Sequence, residues 1–268
     1  MQYRGKTALV TGASSGIGAA FAQDLAKRGM NLILVARSVD KLNALAQELS
    51  QRYQVQAVVL PADLGQVGAA EKLLADVEQR GLGVDLLINN AGFATHGAFE
   101  QIELQRDRQQ VMVNVTALVD LTHAFMPQLI ERRGAVINVA STVAFQPVPY
   151  MAVYGATKAF VISLTTALAE EYRSRGVRFL ALCPGATATG FFEVAGSDTM
   201  AFGAMRTSPQ VVATALNALE RGKTVVIDGF FNMITAVISK RLPFSWAARI
   251  AGQITRPQPT ATTATQPK

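Results

Sequence analysis

Short apolar runs rich in Val, Ile and Leu alternate along the chain with longer stretches whose apolar positions recur three or four residues apart. The runs at Thr7–Thr11, Leu32–Ala36, Ala57–Leu60, Leu86–Asn89, Ala135–Ala140, Val177–Cys183 and Thr224–Ile227 predict seven strands. Helical spacing predicts helices over Ala19–Lys27, Lys41–Gln51, Ala69–Gln79, about Leu104–Leu129 and Tyr150–Glu171. Strands that read as unbroken apolar runs belong to a parallel sheet covered by helices on both faces. The alternation therefore predicts an α/β fold: a doubly wound, mostly parallel sheet of seven strands.

No internal repeat or Pro/Gly linker divides the chain before residue 256, so one domain is expected over residues 1–256. Within it, residues 229–256 form a helical extension beyond the last strand, and residues 257–268 lack any bulky apolar side chain and are expected to form a disordered tail. Half of the 268 residues are apolar and only 16% are charged, which supplies a large core and excludes extensive disorder. A net charge of +6 admits an anionic partner, but the basic residues are scattered apart from small groups such as Lys240 and Arg241, so nucleic acid is not an expected partner. The single cysteine, Cys183, excludes an internal disulfide and a cysteine metal cluster. His96 and His123 are far apart and lack acidic or Cys neighbours, so no metal site is expected. The opening residues lack a secretory signal pattern, and no uninterrupted apolar run reaches the roughly 18 to 20 residues of a membrane span. Cytoplasmic localisation is the resulting expectation.

Chemistry concentrates at the ends of the predicted strands. Directly after the first strand comes Gly12-Ala13-Ser14-Ser15-Gly16-Ile17-Gly18, leading into a helix. Glycines at such a turn let backbone approach a pyrophosphate closely, while free N–H groups and the helix dipole favour its charge. At the end of the second strand, where an acidic residue would hold the ribose hydroxyls of NAD, the chain carries Arg37. An arginine there pairs with a 2′-phosphate, and the missing carboxylate removes a repulsion, so NADP(H) is the expected cofactor. The competing reading is a solvated loop charge that discriminates nothing. Tyr154 and Lys158, four apart in a helical stretch, leave one helix face, where an ammonium stabilises a phenolate.

The spacing Gly-x-x-x-Gly-x-Gly resembles the short-chain dehydrogenase/reductase family. The resemblance runs from about Lys6 to Ile227 and includes, in order, Asp63, Asn89-Asn90-Ala91-Gly92, Ser141, Tyr154 with Lys158, and Pro184-Gly185. It implies a Rossmann-type fold and a catalytic set of Asn114, Ser141, Tyr154 and Lys158, with Asn114 holding a water beside the lysine. It also implies cofactor contacts from Asp63 and Leu64 at the adenine, Asn90 and Gly92 on the adenosine side, and Pro184, Gly185, Thr187 and Thr189 around the nicotinamide. Tyr154 and Lys158 count among the cofactor contacts too. Asp63 as a simple turn residue is the alternative.

These expectations combine into an NADP(H)-dependent oxidoreductase that interconverts a carbonyl and an alcohol, with Tyr154 as acid/base. Phe93, Thr95 and His96, then Val143 to Tyr150, then Phe191 and Phe192 are expected to wall the substrate, and their mostly apolar character points to a hydrophobic carbonyl or alcohol. The segment from Glu193 to Thr207 reads as a lid. Two alternatives stand beside this: a non-catalytic NADP-binding redox sensor, and a membrane-surface reductase of lipid carbonyls using residues 229–256 for peripheral contact, although packing of that extension over the substrate cleft or at a subunit interface is the preferred reading of it. A homodimer or homotetramer is expected by resemblance.

Overall fold

The computed structural model describes residues 2–188 and 205–257. Its strands are β1 (Thr7–Thr11), β2 (Asn31–Val35), β3 (Ala57–Val59), β4 (Leu86–Asn89), β5 (Ala135–Val139), β6 (Arg178–Cys183), β7 (Thr187–Ala188), β8 (Arg206–Thr207) and β9 (Val225–Ile227). Seven of them form one sheet in the order β3-β2-β1-β4-β5-β6-β9, every pair parallel. β7 and β8 make a separate two-residue ladder. Each of the seven predicted strands is present, its ends within one residue of the expectation.

The helices are α1 (Gly16–Lys27), α2 (Val39–Tyr53), α3 (Ala69–Gln79), α4 (Leu104–Val111), α5 (Ala117–Glu131), α6 (Ala152–Glu171), α7 (Ser208–Glu220), α8 (Phe230–Arg241) and α9 (Phe244–Thr255). The long stretch expected over 104–129 is interrupted by a π-helical turn, Met112–Thr116, between α4 and α5. The extension is two helices: α8 ends at Arg241, Leu242 is extended, as a following proline favours, and Pro243 precedes α9.

Side chains alternate across a strand, and the core follows that alternation. Ala8 and Val10 of β1 point to one face, with Leu32 and Leu34 of β2, and pack under α1, α2 and α7. Leu9 and Ile33 point to the other, against α3 and α5. Both faces are therefore dry, as the unbroken apolar strands require. α6 is long and apolar enough to cross a membrane by length and composition, yet it buries Tyr154, Lys158, Val161 and Thr165 inside the protein. A buried polar ladder ties these layers together: Asn89 Nδ2 donates to Asn138 Oδ1 at 2.9 Å, and Asn138 Nδ2 donates to Thr165 Oγ1 at 2.9 Å.

The strand order reverses at β1, which has β2 on one side and β4 on the other. Crevices at such a point, beyond the carboxyl ends of the strands, are where open α/β sheets bind ligands.

Candidate active site

A cleft of about 910 Å³ opens there, lined at one end by Gly12 to Ile17 and Arg37 and at the other by Ser141, Tyr154 and Lys158. Thr11 pins its floor. Its hydroxyl donates to the Ile88 carbonyl at 3.1 Å and accepts from the N–H groups of Asn90 and Ala91 at 2.9 and 3.0 Å. Asn90 Nδ2 returns a bond to the Thr11 carbonyl at 2.9 Å, so the ends of β1 and β4 are held together.

The glycine turn takes its form from two separate constraints. Gly12 has φ of +65°, a left-handed conformation that only glycine adopts freely. Gly18 is different: a Cβ there would lie 2.2 Å from the Gly12 carbonyl oxygen. It is needed so that α1 can approach the turn, and its place is beneath the cleft. Gly12, Ser14, Ser15, Gly16 and Ile17 line the cleft directly. Ser15 precedes α1 without making a side-chain cap bond.

Arg37 is exposed, lines the cleft and forms no ion pair with any described residue. Lys41, on the first turn of α2, lines the same end. Sequence reasoning missed it, although its position four residues after Arg37 at a helix start is a usable signal. Asp63 and Leu64 line this end as well. Asp63 Oδ1 accepts from Gly65 N at 3.0 Å, so it also closes the turn after β3.

At the other end, Tyr154 and Lys158 project from the face of α6 that packs on the sheet. Lys158 Nζ donates to the Val139 carbonyl at 2.8 Å and lies 5.7 Å from the centre of the Tyr154 ring. Burial pushes the Lys158 ammonium down to about 8, against a smaller opposing influence of Cys183. Burial also holds the Tyr154 phenol well above its ordinary range, and a hydrogen bond with Ser141 opposes that rise. Ser141 begins a short 3-10 turn after β5, where its Oγ accepts from Val143 N at 3.3 Å. Cys183 is an inert thiol, pushed by burial up to about 12.

Asn114 sits in the π-helical turn, and its side chain is spent on protein partners. Oδ1 accepts from Phe93 N at 3.1 Å, while Nδ2 donates to the Phe93 carbonyl at 3.0 Å and to Thr157 Oγ1 at 3.2 Å. That amide clamps the loop after Gly92 to α6. Gly92 lines the cleft between the two, where a Cβ would lie 2.9 Å from Asn114 Oδ1 and 3.5 Å from Lys158 Nζ.

Pro184, Gly185 and Thr187 line the cleft beside Lys158. Thr187 Oγ1 donates to the Gly185 carbonyl at 3.0 Å. Thr189, Phe191, Phe192 and most of the expected lid lie outside the described residues. Of the expected substrate wall, Phe93, Val143, Gln146 and Val148 do line the cleft, and Met151, one residue past the expected stretch, joins them. Thr95 does not; it is buried, with its hydroxyl donating to Asp107 Oδ1 at 2.8 Å. His96, also expected in the wall, does not line the cleft either; its Nε2 meets the Thr255 carbonyl at 2.8 Å. That contact brings α9 across the substrate end, where Thr255 Oγ1 also donates to the Pro149 carbonyl at 2.8 Å. Asn232 and Ser239 of α8 and Ala251 and Ile254 of α9 complete the wall, and sequence spacing alone did not place them.

The glycine cradle, the unpaired Arg37 and the buried Lys158 suit a phosphorylated dinucleotide laid along this cleft, with its phosphates at the turn. A family model described as short chain dehydrogenase matches residues 6–199. A very-long-chain 3-oxoacyl-CoA reductase of Bos taurus is 34% identical over 194 residues, covering 69% of this chain and 60% of that protein. Hydroxysteroid dehydrogenase-like protein 1 of Gallus gallus is 35% identical over 189 residues, covering 69% of this chain and 56% of that protein. The matched stretch thus spans less than two thirds of these relatives. Among solved structures, a short-chain dehydrogenase from Sphingobium yanoikuyae in complex with NADPH has a TM-score of 0.80 at 32% identity, covering 97% of this chain and 100% of that one. The bulky-bulky ketone specific alcohol dehydrogenase from Comamonas testosteroni has a TM-score of 0.75 at 31% identity, covering 91% and 98%. Motifs, strand order and matched length agree, and the chain belongs to the short-chain dehydrogenase family.

Proposed function

We propose that this chain is an NADP(H)-dependent oxidoreductase that interconverts a carbonyl and an alcohol on a bulky, apolar substrate. One observation carries the chemistry: Tyr154 is buried, hydrogen-bonded to Ser141, and backed by the ammonium of Lys158 on the same helix face. Arg37 and Lys41, at the far end, support a 2′-phosphate contact and hence NADP(H) over NAD(H).

When bound, the nicotinamide cofactor supplies or accepts the hydride. The protein handles the proton. Tyr154 carries its phenolic proton at neutral pH and donates it to a carbonyl oxygen as that oxygen gains charge; burial makes the phenol a weaker acid, and the hydrogen bond with Ser141 opposes that effect. The Ser141 hydroxyl donates a second hydrogen bond to the same oxygen. Lys158 then stabilises the phenolate left behind, and oxidation of an alcohol reverses these roles. Asn114 acts at one remove, fixing the Phe93 backbone against α6.

The substrate end is walled by Val143, Val148, Met151, Ala251 and Ile254, which favours an apolar group around the reacting carbon. The names of the relatives, a very-long-chain 3-oxoacyl-CoA reductase and a bulky-bulky ketone specific alcohol dehydrogenase, support the same substrate class. The test is NADPH oxidation against a panel of aromatic, steroidal and long-chain ketones, with sugars as polar controls. Turnover confined to the apolar ketones and lost in Tyr154→Phe, with NADPH binding retained, supports the proposal. NADPH binding without turnover of any carbonyl would replace it with the redox-sensor reading.

A further inference from the structure

We propose that α8 and α9 form a lipid-docking surface that seats the enzyme on an anionic membrane, with the mouth of the cleft at the bilayer. The two helices are two-faced in an unusual sense: one side is occupied by the protein and the other is apolar and open. Ala236, Ser239, Ala247, Ala251 and Thr255 are buried inward. Outward, Phe230, Ile234 and Ile238 recur four apart along α8, and Trp246, Ile250 and Ile254 do so along α9. Phe231 is 81% exposed, Phe244 74% and Trp246 62%. Bulky apolar side chains scattered singly are ordinary on a protein surface, but this many on consecutive helices constitute a patch that has an occupant.

Charge identifies the occupant. Residues 229–257 carry Lys240, Arg241, Arg249 and Arg256 and not one Asp or Glu. A second copy of the chain would have to bring this patch against itself across a twofold axis, placing like charges together with no carboxylate of the extension to offset them. An anionic lipid surface has the complementary charge, and the pairing of an apolar face with basic residues and an interfacial tryptophan is that of helices lying in the headgroup region. The same helices give the surface a purpose. Phe231 and Ile254 belong both to the exposed patch and to the cleft lining, so the apolar rim is continuous from outside to the substrate end. An apolar carbonyl dissolved in the bilayer would reach Tyr154 without crossing water; this part rests on the apolar-substrate reading above.

The test is flotation of the full chain with vesicles of mixed phosphatidylcholine and phosphatidylglycerol, against phosphatidylcholine alone. Two variants accompany it: Ile238→Ser with Trp246→Ser and Ile250→Ser, and Arg241→Gln with Arg249→Gln. None of these residues lines the cleft, so NADPH binding and turnover of a small water-soluble ketone stay at the parent level and report correct folding. The parent is expected to bind the mixed vesicles at least about tenfold more strongly than the neutral ones, and each variant to lose most of that binding. Flotation that ignores both variants, or no flotation at all, overturns the proposal. So does a parent dimer that becomes a monomer in the apolar variant, since the patch would then be a subunit interface. Normal flotation together with turnover of sugars alone would discard the apolar substrate and leave the docking surface standing.

Discussion

Lys158 Nζ donates to the main-chain carbonyl of Val139 at 2.8 Å, which ties α6 to the end of β5 and fixes the ammonium beneath the Tyr154 ring. A cation in that position has a measurable cost. Burial lowers its folded-state value to about 8 from an ordinary 10.5, so between those values the unfolded chain binds more protons than the native one. Stability contributed through this group therefore rises with pH over that window, by an amount on the order of 3 kcal/mol. Chemical denaturation at pH 7.5 and 9.5 should show a gain for the parent relative to Lys158→Met. A variant with the same pH dependence as the parent would show that Lys158 is solvated.

Arg37 lines the cleft without an ion-pair partner among the described residues, with Lys41 beside it. Arg37→Ala should weaken NADPH binding at least about tenfold, roughly 1.4 kcal/mol, while leaving NADH nearly unchanged. Lys41→Ala should produce a smaller loss of the same sign, because a flexible ammonium recognises phosphate as a point charge, without the fork of a guanidinium. Titration by fluorescence checks both. Equal losses for NADPH and NADH would move the contact away from the 2′-phosphate.

Gly18 and Gly92 separate packing from ligand approach. A methyl at Gly18 meets backbone, 2.2 Å from the Gly12 oxygen, so Gly18→Ala should lower stability by about 1 to 3 kcal/mol and weaken cofactor binding through a displaced turn. A methyl at Gly92 meets the end of the Asn114 side chain at 2.9 Å. Gly92→Ala should cost less in stability and more in kcat, because it intrudes between Asn114 and Lys158. Thermal unfolding and steady-state kinetics on the two variants distinguish these patterns.

Asn114→Ala removes three hydrogen bonds and leaves the Phe93 N–H and carbonyl unpaired. A loss of about 1 to 3 kcal/mol in stability is expected, together with a fall in kcat and little change in NADPH affinity. A stability loss with unaltered kcat would make the residue purely structural.

His96 joins the loop after Gly92 to the last turn of α9, and Thr255 joins that turn to Pro149. His96→Ala should loosen α9 over the substrate end, raising KM for bulky ketones while leaving small ketones unaffected. A uniform change across substrate sizes would place the effect elsewhere.

The strands and the sheet they build were determined by the sequence itself. Runs such as Leu32 to Val35 have no polar face to offer water, so only a sheet covered on both sides accommodates them, and their order of alternation with helices leaves little choice of architecture. The cofactor turn, Arg37, and the Tyr154–Lys158 pair were equally readable, because each lies at a strand end or at helical spacing where local geometry decides what neighbours what. What only the tertiary structure decided involves residues far apart in the chain. The engagement of Asn114 with Phe93 and Thr157, the removal of Thr95 from the wall toward Asp107, and the seating of Thr255 on His96 depend on how loops and helices meet. Periodicity shows which face of a helix is apolar, but not what lies opposite it. The inner sides of α8 and α9 thus became part of the cleft, and their outer sides an open apolar surface, only when the chain was assembled.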